Sequence, residues 1–252
     1  IIYKLVNLRT FDSFNLSLTV ISSGGFLIAN NISEILQSNF QIYVFSLSML
    51  ISFFGILLPY NVLFLRKKDL LVFTEDFYLL IYFIFLVGLF FLFFNQNNNF
   101  SITLFSLISS ISNIGFSFDI KNQNNFLFLV LVIIGGSLVS TSSGLRFLKI
   151  YLLTKFSFNE LVSHSKPKHV ILNKVLFSKV KIDLNDINKY FFTVIIFILS
   201  LSILISLLTL NDIQFDDAFK LGILTLMNTV NSSLHGLENL NFVDFSIPLK
   251  LI

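Results

Sequence analysis

Four apolar runs, 42–65, 77–94, 126–153 and 190–210, constrain this chain more than any other feature. Each approaches or exceeds the roughly 20 residues that carry a helix across about 30 Å of hydrocarbon. Only 12% of the 252 residues are charged and 55% are hydrophobic, whereas soluble domains carry about 25% charged residues. The expected class is therefore an all-α integral membrane protein with lipid as its main solvent. The net charge of +3 sits in a few loops between apolar runs, which argues against a nucleic-acid partner. The absence of cysteine excludes disulfides, thiol catalysis and Cys-type zinc sites. No Ser/His/Asp set or carboxylate pair suggests an enzyme. His164, His169 and His235 lack metal-ligand partners at useful spacing and read as solvated loop residues.

Between the apolar runs lie semi-polar stretches of another kind, 10–23, 100–113 and 216–228. At roughly 12 residues they are too short to span. Each starts near a capping type of residue (Asp12, Ser101, and Asp216 or Asp217) and ends in a turn rich in Ser, Thr or Asn. Basic residues set the orientation. Arg66, Lys67 and Lys68 follow the first run, and Lys155, Lys166, Lys168, Lys174, Lys179, Lys181 and Lys189 precede the fourth. The positive-inside rule makes both connections cytoplasmic. The parity then closes only if 100–121 enters and leaves on the outer side, as a re-entrant segment. Irregular backbone at that depth must line a water-filled cavity or be buried in protein.

The chain thus repeats a unit of span, short helix with turn, and span. The expected divisions are 1–65, a partial unit; 66–156, a complete one; and 157–252, a basic connection and an incomplete unit. Both ends read as truncations of a longer protein.

Three turns carry the chemistry. They read Ser22-Ser23-Gly24-Gly25-Phe26, Ser112-Asn113-Ile114-Gly115-Phe116, and Asn228-Thr229-Val230-Asn231-Ser232. Backbone carbonyls that replace a hydration shell make ion filters, and glycine reaches the angles that aim them. The short helices would point their partly negative ends at the cation. The same residues also suit ordinary helix C-caps.

The third apolar run is broken by Gly135, Gly136, Ser137, Leu138, Val139, Ser140, Thr141, Ser142, Ser143 and Gly144, with Arg146 just beyond. Hydroxylated residues there can satisfy backbone groups freed by a non-helical segment. A small-residue packing face explains the Gly and Ser content but not a ten-residue interruption.

These motifs resemble the Trk/Ktr/HKT superfamily of potassium transporters, most closely its TrkH-type translocation subunit. In that family four span–pore-helix–span repeats surround one ion pore. Its Ser-Thr-Gly-Gly-Phe turn is matched by Ser22 to Phe26, and its Thr/Asn-x-Gly-Phe turn by Asn113 to Phe116. Its broken inner helix reads Gly-Gly-Ser-x-x-Ser-Thr-x-Gly-Gly-hydrophobic-Lys. The stretch from Gly135 to Arg146 is similar, with Arg for Lys and Ser143 for one glycine. The resemblance implies that this chain runs from the second repeat through most of the fourth. It implies a potassium filter at the carbonyls of the three turns and a gate loop at 135–146. It also implies a homodimer in the bacterial inner membrane and a cytosolic nucleotide-binding, TrkA-like regulatory subunit. K+ would be the transported ion, with no cofactor in the chain. In the fourth turn, Asn231 stands where the family has a filter glycine, which predicts weaker discrimination against sodium. The alternative reading is a sodium- or proton-coupled secondary transporter with broken helices. It calls for inverted repeats and buried ionisable residues, and the apolar runs hold almost no acids.

Overall fold

The computed structural model describes residues 2–27, 29, 31–54, 70–94, 100–118, 125–138, 140–165, 184–229 and 235–237. The secondary structure among them is helical. A short α1 (Ile2–Leu5) leads into α2 (Thr10–Ser22), and a 3-10 turn at Ile32–Glu34 precedes α3 (Asn39–Phe54). Next come α4 (Leu70–Phe94), α5 (Phe100–Ile111), α6 (Asn125–Ile134) and α7 (Phe147–Ser165). The last two are α8 (Leu184–Thr209) and α9 (Phe215–Leu226).

Three of these helices, α2, α5 and α9, are 13, 12 and 12 residues long and coincide with the semi-polar stretches. Packing relations repeat along the chain. Each short helix lies against the helix that follows or precedes it: α2 on α3, α5 on both α4 and α6, and α9 on α8. A second relation crosses between units: α3 packs on α5, and α6 packs on α9.

One cluster of buried residues gathers Leu16, Phe45, Met49, Phe53, Phe105 and Ile108 from α2, α3 and α5. Phe45 stacks with Phe105 at 6.1 Å between ring centroids and meets Phe116, beyond α5, at 6.2 Å. A second cluster joins α6, α8 and α9 through Val132, Leu208, Ala218 and Leu224. α5 is the most enclosed short helix, with every residue from Thr103 to Ile111 except Leu104 buried. Two of its serines are satisfied because their hydroxyls reach back into the helix, Ser106 Oγ to Ile102 O and Ser110 Oγ to Ser106 O.

The outer helices show the opposite pattern. Residues 187–209 of α8 are long and apolar enough to cross a membrane, and almost none of that segment is buried. Phe191, Phe192, Ile198, Leu199 and Ile203 all stand exposed there. α4 likewise exposes Phe77, Ile84, Phe85 and Leu92.

Several sequence expectations need correction. The N-caps of α2 and α9 are Arg9 and Gln214, and neither makes a side-chain cap bond. Asp12, Asp216 and Asp217 lie two or three residues further in, within the first turn, where they complement the helix dipole. Ser101 is inside α5, and its hydroxyl donates to Asn39 Oδ1 of α3 at 3.2 Å. α4 begins at Leu70, before the apolar run at 77, with Thr74, Glu75 and Asp76 inside the helix. α7 continues to Ser165, past the end of the apolar run at 153. His235 is fully buried, not solvated. Residues 55–69 and 166–183, which hold most of the basic connections, and His169 lie outside the described residues.

Candidate functional site

Each short helix ends by turning its backbone left-handed. Ser23 follows α2 with φ 50°, Asn113 follows α5 with φ 59°, and Asn228 follows α9 with φ 49°. Asn is among the few non-glycine residues that enter this region readily. Two of the ends are built alike. After α5, Asn113 N–H donates to Ser110 O at 3.2 Å and Ile114 N–H to Ser109 O at 3.1 Å. After α9, Asn228 N–H donates to Thr225 O at 3.1 Å and Thr229 N–H to Leu224 O at 2.9 Å. This paired pattern is the Schellman cap. The plain reading of the turns as helix C-caps is therefore present in the geometry, and the chain beyond each cap remains available for another task.

The caps also fix a register. Two residues beyond the left-handed position lie Gly25, with φ 63°, and Gly115, with φ 84°. The same count from Asn228 gives Val230. Both Val230 and Asn231 lie outside the described residues. Ser22, Ser23, Gly24 and Gly25 form the first turn, which is pinned where Thr19 Oγ1 donates to Phe26 O at 2.8 Å. Ser112, Asn113, Ile114 and Gly115 are buried in the second.

The segment between α6 and α7 is non-helical at all its described positions, 135–138 and 140–146. Its neck is closed by Leu145 N–H on Ile133 O at 3.0 Å and Phe147 N–H on Gly136 O at 3.1 Å. Gly135 (φ 69°) and Gly144 (φ 102°) meet at this neck, and a Cβ on Gly144 would stand 2.7 Å from Gly135 Cα. Within the loop, Ser142 Oγ accepts the Gly136 N–H at 3.0 Å and meets Ser140 Oγ at 2.8 Å. Arg146 folds back into the loop. Its Nη1 donates to Ser137 O at 3.0 Å, Ser140 O and Ser140 Oγ at 2.9 Å each, and Ser142 O at 2.6 Å. One guanidinium thus satisfies carbonyls that a helix would have paired internally. Ser143 takes part through its backbone at the neck.

Three sets of contacts tie the loop to its surroundings. Ser137 N–H donates to Phe53 O at 3.0 Å and Ser142 N–H to Ser52 O at 3.3 Å, both near the end of α3. Thr141 Oγ1 lies 3.1 Å from Ser23 Oγ, so the loop touches the first turn directly. Leu138 N–H donates to Glu75 Oε1 of α4 at 2.8 Å. Glu75 is 2% exposed, and its charge attracts that of Arg146. Sequence reasoning missed it. The available signal was an acid two residues before an apolar run, on a helix that carries it inward.

These features define a class: an all-helical fold in which short helices capped by left-handed turns are wedged between longer ones, with one long helix broken against a turn. A solved structure shares that fold. The chain superposes on the crystal structure of the potassium transporter TrkH from Vibrio parahaemolyticus with a TM-score of 0.83 and 20% identity, over 99% of this chain and 56% of that one. At such identity the likeness concerns the fold. This chain spans little more than half the length of the transporter it matches. No family model and no curated protein matches the sequence.

Proposed function

We propose that the chain forms part of a channel-like potassium transporter of the TrkH type. The observation that carries this reading is the contact between the broken segment and the first turn, Thr141 against Ser23. It sets an irregular loop beside the turn on which an ion would be dehydrated, within a fold shared with a potassium transporter. The filter is formed by carbonyls of Ser22 to Gly25, Ser112 to Gly115 and Asn228 to Asn231, with a further repeat supplying the remaining side. The loop 135–146 is the gate. The apolar outer faces of α4 and α8 lie in lipid, and the protein is multi-pass in the bacterial inner membrane. Assembly as a homodimer with a TrkA-like regulatory subunit follows from the same reading.

The buried acid Glu75 is the one observation that favours a coupled secondary transporter, since such an acid in a helix suggests a proton or solute site. Its carboxylate is engaged with the loop backbone, which speaks for the gate instead.

The test is rubidium uptake by the full-length protein in cells that lack their own potassium uptake. Growth at low potassium and rubidium flux are expected, with higher flux when the segment 138–141 is shortened. A protein present in the membrane that passes neither ion overturns the reading.

A further inference from the structure

Ser137 C=O and Leu138 N–H are the two ends of a single peptide unit. Arg146 Nη1 donates to the first at 3.0 Å, and Glu75 Oε1 accepts from the second at 2.8 Å. The peptide is therefore gripped between a cation and an anion, each held by a charge-assisted hydrogen bond. Such bonds are about twice as strong as neutral ones. The loop's contacts with Phe53 O, Ser52 O and Ser23 Oγ are all between neutral groups.

The two grips differ in origin. Arg146 belongs to the loop's own far end and also holds Ser140 and Ser142, so it shapes the loop from within. Glu75 comes from a separate helix, 63 residues away, and binds the loop to the scaffold. A buried carboxylate is costly unless its charge is answered. Here the loop's backbone, polarised by Arg146 on its other side, supplies part of the answer.

We propose that Glu75 is a positioning residue that latches the loop 135–146 to α4, acting with Arg146 through the 137–138 peptide. Release of the latch lets the loop leave its place beside the first turn. The consequence for ion flux rests on the gate reading given above; the latch itself is a matter of loop mobility.

The experiment uses the full-length protein in lipid, as wild type, Glu75→Gln, Glu75→Leu, Arg146→Gln and the Glu75→Gln/Arg146→Gln pair. Backbone hydrogen exchange over 137–142 and rubidium flux are read side by side. Glu75→Leu is expected to raise loop exchange by about tenfold or more, as loss of one charge-assisted bond gives, with α5 unchanged. Glu75→Gln, which keeps an oxygen acceptor without the charge, falls between. The double variant exceeds the larger single effect only slightly, because both residues act on one peptide. If Glu75→Leu does not fold, Glu75→Gln carries the test alone. Loop exchange equal to wild type in the folded Glu75 variants overturns the latch whatever the flux does. Raised exchange with unchanged flux upholds the latch and overturns the gate.

Discussion

Ser23 Oγ and Thr141 Oγ1 lie 3.1 Å apart, although 118 residues separate them in the chain. Through this pair the turn after α2 and the break in the helix beyond α6 share one hydroxyl contact. Thr141→Val keeps the shape and removes the hydroxyl, taking that partner from the buried Ser23. Leaving a buried polar group without a bond costs about 1–3 kcal/mol. A fall of a few degrees in melting temperature is expected, measured by thermal unfolding in detergent. On the gate reading, rubidium uptake rises as well. A variant that melts and transports like wild type would show the contact to be incidental.

Two glycine-to-alanine changes separate the neck from the helices around it. At Gly144 the backbone is left-handed and the added methyl meets Gly135 Cα at 2.7 Å, so the neck must open. At Gly88, inside α4, nothing lies within 4 Å of the added methyl. Gly88→Ala is expected to be neutral or to stabilise by about 0.5–1 kcal/mol through helix propensity. Gly144→Ala is expected to destabilise by several times that, on the scale of overpacking and backbone strain combined, about 2–5 kcal/mol. Denaturation of the two variants under one condition checks the order, and equal stability would refute the closed neck.

The break after α6, non-helical at its described positions, and the three short helices were legible in the sequence. A run of Gly, Ser and Thr cannot continue an apolar helix, and twelve residues cannot span. What ties these pieces together was not legible. The bond from Leu138 to Glu75 joins positions with no shared periodicity, and Glu75 beside Phe77 looks like a helix flank until the helix is seen to start at Leu70. Arg146 was legible as the last member of the loop motif, but the turn of its guanidinium back upon the Ser-rich loop was not. The caps after α5 and α9 needed backbone hydrogen bonds, not residue types, to reveal their common register.

On the proposed filter reading, that register bears on ion selectivity. Resemblance by motif puts the glycine-equivalent position at Asn231, while the count from the left-handed caps puts it at Val230. Carbonyl number and field set a filter's preference. Val230→Gly is therefore expected to raise the potassium-to-sodium uptake ratio of the full-length protein more than Asn231→Gly does. Paired uptake of the two ions decides it: a larger gain for Asn231→Gly would mean that the turn after α9 carries one residue more than the other two before the glycine-equivalent position.

The packing of α3 on α5 and of α6 on α9 has a meaning for biosynthesis. A chain leaves the ribosome from its N-terminal end. In these two pairs α5 is born after α3 and α9 after α6, so each finds its berth already built. A twelve-residue apolar helix has little stability alone, and delivery in this order spares it a wait without a partner. Rearranging the gene so that α5 preceded α3 would ask the guest to arrive before the host.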